Sequence, residues 1–541
     1  MLARMTVRWL FADQLGPHFT EDADDDAPVL LVESLAAFRR RRFHRRKAHL
    51  VLSALRHRAA ELGDRAVVVR AGTYSEALDR LPGLLAERGP ATPGAPAAPD
   101  DDAPVSVVDP TSRAARGLVR RLAAQGTVVV LPERGWAVAP EEFAAWVASR
   151  GRRRLLLDDF YRHVRRATGL LVQQDGAPVG GRWTFDDENR EPPPRRTVLL
   201  RDRVDVAEPW WPVEDEIDAG VRADLDRWER EGLVSFVGED GPRRFAVTRA
   251  EALTALEEFV TGRLDAFGPY EDAVLHGDRW MAHSLLSVPL NLGLLHPLEA
   301  ARRAVRAYDD GAARLASVEG FVRQVVGWRE YVWHLYWQPP AERDDPDRDP
   351  GSDPAPATYR DRNALDAHEP LPDWWQDLDA GGTVRARCLS ETLASVREEG
   401  WTHHIPRLMV LGNHALQRGY APAAVTDWFH RSFVDGFDWV MVPNVVGMSQ
   451  HADGGLMATK PYASGGAYLH RMTDHCGGCP FDPKVRLGPR ACPFTAGYWA
   501  FLHRNAERFA GNHRMGQALA GLRRLDDLDA VVEQEARRDR F

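Results

Sequence analysis

The chain has 541 residues, 44% apolar and 28% charged, a balance that predicts two or three domains with buried cores and excludes a disordered polymer. No window approaches the ~18 unbroken apolar residues of a membrane span. Residues 1–15 lack a signal peptide's apolar core and cleavage site, so a soluble, cytoplasmic protein is expected. With a net charge of −9, contact with a polyanion falls to local patches, and four cysteines are too few to staple a secreted scaffold of this size.

In chain order, residues 7–12 read as a short apolar strand ending at Asp13-Gln14-Leu15-Gly16. Similar runs recur at 29–32, 66–69 and 127–131, with helical stretches at 44–62 and 111–125 between them. Apolar strands alternating with helices predict a parallel, Rossmann-like sheet covered on both faces. Strand C-terminal ends in such sheets form ligand crevices, here at Asp13 and Glu33. The stretch 90–104, rich in Pro, Ala and Asp, reads as a surface insert. Residues 1–150 are thus expected to form an α/β domain and 151–215 an inter-domain connector. Residues 216–541 are expected to form a large all-α domain, with helical periodicity at 249–267, 298–308, 318–337, 383–397, 404–418 and 421–433. A Pro- and Asp-rich loop is expected at 339–356. Many of the seventeen tryptophans should line a core or a pocket.

All four cysteines fall in the helical part. Cys476-Gly477-Gly478-Cys479 is followed thirteen positions later by Cys492, with Cys388 upstream. The glycines let both sulfurs of the close pair turn toward one centre, and Pro480 and Pro493 stop neighbouring helices there. Four thiolates suit either Zn²⁺ or a [4Fe–4S] cluster; free buried thiols or a redox pair are the plainer alternative.

His283-Ser284-Leu285-Leu286-Ser287 leads into a predicted helix containing Asn291, where hydroxyls can hold phosphate or simply cap the helix. More specific is Phe321-Val322-Arg323-Gln324-Val325-Val326-Gly327-Trp328-Arg329-Glu330-Tyr331, which resembles the Trp-Arg-Glu signature of the photolyase/cryptochrome flavoproteins. Gly180-Gly181-Arg182-Trp183 with Phe185-Asp186 and Asn189-Arg190, His403-His404-Ile405-Pro406-Arg407-Leu408-Met409, Asn444-Val445-Val446-Gly447-Met448-Ser449-Gln450, Ala452-Asp453-Gly454-Gly455 and the cysteine spacing extend the match. Together they resemble the bacterial iron–sulfur branch, the prokaryotic (6-4) photolyases, from Asp13 to about residue 515.

The resemblance implies a monomeric lyase, driven by blue light, that repairs (6-4) pyrimidine photoproducts in UV-damaged DNA. It implies FAD in the helical domain, near Tyr270, His283, Ser284, Leu286, Ser287, Asn291, Arg329, Met441 and Asn444. It also implies a [4Fe–4S] cluster on Cys388, Cys476, Cys479 and Cys492, and a 6,7-dimethyl-8-ribityllumazine antenna at Asp13 and Glu33. His403 and His404 match the family's proton-donating pair, a role suited to an imidazole that titrates near neutrality. Trp328, Tyr462 and Tyr468 are expected in the lesion pocket, and Trp428 as the relay ring nearest the flavin. Arg471, Lys484, Arg486, Arg490 and Arg504 are the expected phosphate contacts.

Three positions depart from the family pattern. Phe429 stands where Tyr is frequent, Ala380 replaces a relay Trp eight positions before Cys388, and Met441 replaces a carboxylate that some relatives carry near flavin N5. Trp374 and Trp375 are the nearby substitutes for the missing ring. Two other functions stay open at this point: a cryptochrome-like photoreceptor of the same fold, and a zinc-stabilised DNA-binding helical protein without flavin.

Overall fold

A computed structural model describes residues 7–88, 105–151, 153–338, 358–378 and 384–541. The insert at 90–104, the loop at 339–356 and Ala380 lie outside the described residues. Five strands, β1 Arg8–Leu10, β2 Val29–Ser34, β3 Ala66–Ala71, β4 Val105–Val108 and β5 Val128–Leu131, form one sheet in the order β3-β2-β1-β4-β5. Every pairing is parallel, and Trp9 sits opposite Leu30 on one side and Val107 on the other. Side chains alternate across a strand, so Trp9, Leu30, Val32, Val67, Val69 and Val107 gather into one core, which the helices Tyr74–Arg88 and Arg113–Ala124 help to build. Strand β4 is absent from the apolar runs read in the sequence, because it follows directly on the insert. Strand order reverses between β1 and β4, the position beyond whose C-terminal strand ends open parallel sheets commonly form ligand crevices.

The chain divides into two compact units. One comprises Met1–Ala139, Trp210–Glu258 and Leu285–Ala300; the other comprises Pro140–Pro209, Phe259–Ser284 and Ala301–Phe541. These boundaries differ from the expected 1–150, 151–215 and 216–541. The helix Glu216–Arg230 buries Val221 and Leu225 against Ala48 and Leu52 of the helix Arg45–Leu62, so its apolar stripe joins the sheet unit. Residues 151–209 are no loose connector either. Phe185 N donates to Glu319 Oε2 (2.8 Å), Asn189 Nδ2 to Ala316 O (3.0 Å) and Arg323 Nη2 to Asp186 Oδ1 (2.6 Å), fastening the Gly180–Arg190 motif to the helix Leu315–Val322 and the turn that follows it.

In the second unit, residues 315–337 run as one helix with a π-helical turn, Arg323–Trp328, at its middle. Two further π-helical stretches are Pro406–Gly412 and Pro443–Ser449. The latter packs against both the former and Arg329–Trp337. Each falls on one of the motif segments, and such turns gather at functional sites. The helix expected at 249–267 breaks at Arg263 into Arg249–Gly262 and Leu264–Tyr270. Among the described residues, no helix is long and apolar enough to cross a membrane.

Candidate active site and metal centre

His283, His403 and His404 converge. The rings of His283 and His403 stack with centroids 4.2 Å apart, and His404 meets them edge-on at 5.8 and 5.7 Å. Each ring offers a nitrogen within 4.8 Å of the others. Backbone geometry fixes the position of His283: Met281 (φ 44°) and Leu285 (φ 56°) flank it in the left-handed region, at about 1 kcal/mol or more each. The buried Arg263 holds this bend, donating to the carbonyls of Met281 (2.6 Å) and His283 (3.2 Å), and burial pushes its pKa down to about 10. Burial holds the imidazoles of His283 and His403 well below the ordinary histidine range, with neighbouring cationic side chains adding to the effect. Both are therefore neutral near pH 7. His283 Nε2 and both ring nitrogens of His403 are buried without a hydrogen-bond partner in the protein. Buried polar atoms left this way fit a polar cofactor.

His404 differs from its neighbours, with 48% of its side chain exposed and its Nε2 lying 3.2 Å from Asp272 Oδ1. Adjacent Glu271 is buried and unpartnered at Oε2, and burial lifts its pKa to about 7 against the pull of Arg323 and His404. Tyr462 and Tyr468 feel the charges of Asp272 and Arg190, and desolvation raises both phenols. The two expected lesion-pocket tyrosines and the histidine pair thus share one electrostatic neighbourhood, and Trp328 is half-buried.

The expected cofactor residues are placed unevenly. Tyr270 ends its helix with its hydroxyl donating to Glu191. The guanidinium of Arg329 pairs with buried Glu330 (3.0 Å) and lies 5.2 Å from the Trp439 ring centroid. Met441 is buried, and Asn444 Nδ2 donates to Val440 O (2.8 Å). Ser284 belongs to the helical unit, whereas Leu286, Ser287 and Asn291 belong to the sheet unit, in and beside the five-residue helix Ser287–Asn291. Leu286, rather than a serine, occupies the N-cap, so side-chain capping by hydroxyl does not occur there.

Trp428 is buried, and its Nε1 donates to Trp375 O (2.8 Å). Trp428 and Trp375 have centroids 5.6 Å apart, and Trp375 and Trp374 are again 5.6 Å apart, so three indoles form a line ending at a half-buried ring.

All four cysteines are free of disulfides and line one pocket. Burial and the neighbouring cysteines push the Cys388 thiol far up, and Cys476 to about 12. A Cβ at Gly466 would come within 3.0 Å of Cys492 Sγ and of Pro483 Cα, so only glycine passes this close. Of the expected phosphate contacts, Arg486 is held by Asp527 (2.9 Å) and Arg504 donates to Gln417 O (3.0 Å), while the side chain of Arg490 is 72% exposed. In the sheet unit, Glu33 is buried under Arg56 (2.7 Å) and Arg70 (3.1 Å). Asp13, beyond β1, accepts from Thr111, and burial raises its pKa against the pull of that hydrogen bond.

A family model described as deoxyribodipyrimidine photo-lyase-related protein matches residues 8–231. The (6-4) photolyase of Agrobacterium fabrum is 37% identical over 526 residues, covering 96% of this chain and 95% of that protein. The chain belongs to the (6-4) photolyase family. An uncharacterized protein of Acanthamoeba polyphaga mimivirus is 31% identical over 94 residues, 17% of this chain and 69% of its own. A bacterial class III photolyase from Agrobacterium tumefaciens, known from its crystal structure, covers 82% of this chain and 79% of its own with a TM-score of 0.50. At 17% identity, that likeness is one of fold.

In this member of the (6-4) photolyase family, the sequence motifs contain the clustered histidines and cysteines, while Asp272, Glu271 and Arg263 lie in none of them. Asp272 and Glu271 lie outside every motif, next to Tyr270, and reach the site only through folding. Asp186 lies within the Gly180–Arg190 motif, and its ion pair with Arg323 is a contact only the folded chain makes.

Proposed function

We propose that this protein repairs (6-4) pyrimidine photoproducts in DNA under blue light, with FAD held in the helical unit. FAD, when bound and reduced, supplies the photoexcitable electron donor. The observation that carries the reading is His404, stationed on Asp272 next to His403 and in the electrostatic reach of Tyr462 and Tyr468, in a chain 37% identical to a (6-4) photolyase. His404, exposed and fixed at Nε2 by Asp272, delivers the proton to the lesion. Neutral His403 and His283 behind it offer unprotonated nitrogens to a polar cofactor without adding charge. Tyr462 and Tyr468 stack on or hydrogen-bond an extruded base, and Trp328 offers a further face.

The indole line carries oxidising equivalents outward. Indole is far easier to oxidise than the phenyl ring of Phe429, so Trp375 and Trp374 replace the relay that Ala380 lacks. Trp375→Phe is expected to slow photoreduction strongly while leaving repair by pre-reduced protein intact. Equal photoreduction rates would remove Trp375 from the relay.

Four free thiols around one pocket support a metal centre, chiefly structural. Four thiolates can hold either zinc or a [4Fe–4S] cluster, and the motif resemblance, rather than any sulfur distance, favours the cluster. In the sheet unit, Asp13 at the strand-order reversal is the carboxyl best placed to hydrogen-bond an antenna ring such as a lumazine; Glu33 is already engaged by two guanidiniums.

The deciding experiment illuminates pre-reduced protein with an oligonucleotide carrying a (6-4) lesion. Loss of the lesion is expected; unchanged lesion after saturating light would overturn the reading and leave the photoreceptor function in its place.

A further inference from the structure

The helix Leu157–Thr168 has two functional faces. Phe160, Tyr161 and Val164 turn inward, where Tyr161 reaches Glu319 O. The opposite face, with the helix Pro140–Arg150 and Trp183, bounds a cavity of about 290 Å³, near the small end of the range for small-molecule sites. Its lining carries three guanidiniums, Arg150, Arg162 and Arg166, and the imidazole of His163 against a single lining carboxylate, Asp159. On a chain of net charge −9, this is a local positive excess.

We propose that this cavity binds a nucleotide, a phosphorylated heteroaromatic ring, at a site separate from the histidine cluster. Guanidinium forks match phosphate oxygens in pairs, and three of them converge here. Arg150 pairs through Nη2 with Asp159, yet its Nε is buried with no hydrogen-bond partner in the protein. A donor that has lost its water and gained nothing is the position a phosphate oxygen would complete. Much of the remaining lining is already held, Arg162 being the exception, 44% exposed with only a 3.9 Å contact to Asp159. The Arg150 guanidinium lies 5.9 Å from the Trp146 ring centroid, Arg166 lies 4.6 Å from that of Trp183, and His163 Nε2 is 3.1 Å from Glu142 Oε1. Buried Arg165 holds the Trp183 loop through its carbonyl (2.8 Å). Held side chains have little rotamer freedom left to lose on binding. Two indole walls and room beyond one phosphate select a ring-bearing anion over the bare ion. The inference does not depend on the repair reading.

Isothermal calorimetry on the holoprotein tests it with thymidine 5′-monophosphate, thymidine and inorganic phosphate. The monophosphate is expected to bind one site, with thymidine and phosphate both weaker. Arg162→Gln, on an exposed side chain, should weaken it about tenfold, the loss of one charge-assisted hydrogen bond. Asp159→Asn should tighten it by removing the competing carboxylate, an effect a purely structural pair would not produce. A 5′-phosphorylated, undamaged single-stranded oligonucleotide separates the two sources of the ligand. Equal weakening of the oligonucleotide by Arg162→Gln assigns the cavity to a strand, and an unchanged oligonucleotide affinity assigns it to a free nucleotide; both uphold the chemistry. No binding of the monophosphate at millimolar concentration, unaltered affinity in Arg162→Gln, or phosphate binding as tightly as the nucleotide would overturn it.

Discussion

The helical unit holds two clusters of buried reactive side chains that handle burial in opposite ways. At the cysteine pocket, burial and mutual proximity push thiols upward, so thiolates form there only with a compensating cation. At the histidine cluster, burial keeps His283 and His403 neutral with unpartnered nitrogens, while His404 opens to solvent. Four thiols gathered on one pocket suit a structural centre, and an incompletely satisfied, open set suits chemistry. The contrast separates the site proposed to hold a metal from the site proposed to act on the lesion.

The largest effect tests the cysteine side. Cys388→Ser is expected to give insoluble or metal-free protein, because on the proposed ligation metal binding couples to folding. Soluble, brown Cys388→Ser protein with full iron content would end four-cysteine ligation. On the open side, His404→Ala should lower repair by about 10²–10⁴-fold with FAD still bound, read by lesion turnover and flavin absorbance. Retained repair would remove His404 from proton delivery.

A smaller effect lies in pH dependence. Glu271 has a pKa near 7 against an ordinary 4.5, so the folded state holds its proton more tightly than the unfolded chain does. Stability from this group is full below about pH 4.5 and falls as pH rises to 7, by up to about 3 kcal/mol. Glu271→Gln should therefore raise the melting temperature at pH 8 and change it little at pH 5. The depressed imidazoles act with the opposite sign, since the unfolded chain takes up protons below about pH 6.5 and stability falls with further acidification. The smallest effect belongs to Asp272→Asn, expected to slow repair about tenfold through loss of one charge-assisted hydrogen bond to His404. An unchanged pH–rate profile in that variant would make Asp272 merely structural.

The strands and most helices are legible in the sequence because each is a run of apolar residues at a fixed period. Strand β4 is hidden by the adjacent insert, and the domain boundaries by Val221 and Leu225, whose partners Ala48 and Leu52 lie more than 150 residues away. In the site, Cys476, Cys479, His403 and His404 are legible as local patterns. Asp272, Arg263 and the indole line of Trp428, Trp375 and Trp374 are contacts made only by the folded chain.

The three π-helical turns have a consequence for how this site tolerates change. Such a turn carries one residue more than an α-helix would, and a regular helix rotates about 100° per residue. Each turn therefore resets the angular phase of everything after it: Arg329 and Glu330 after 323–328, Asn413 after 406–412, Gln450 after 443–449. A one-residue deletion in any of these stretches can be absorbed by returning the turn to regular α-helix, whereas the same deletion in an adjoining α-helical segment would swing the downstream side chains by about a quarter turn. Here the number of residues, as much as their kind, sets the direction in which the chemistry points.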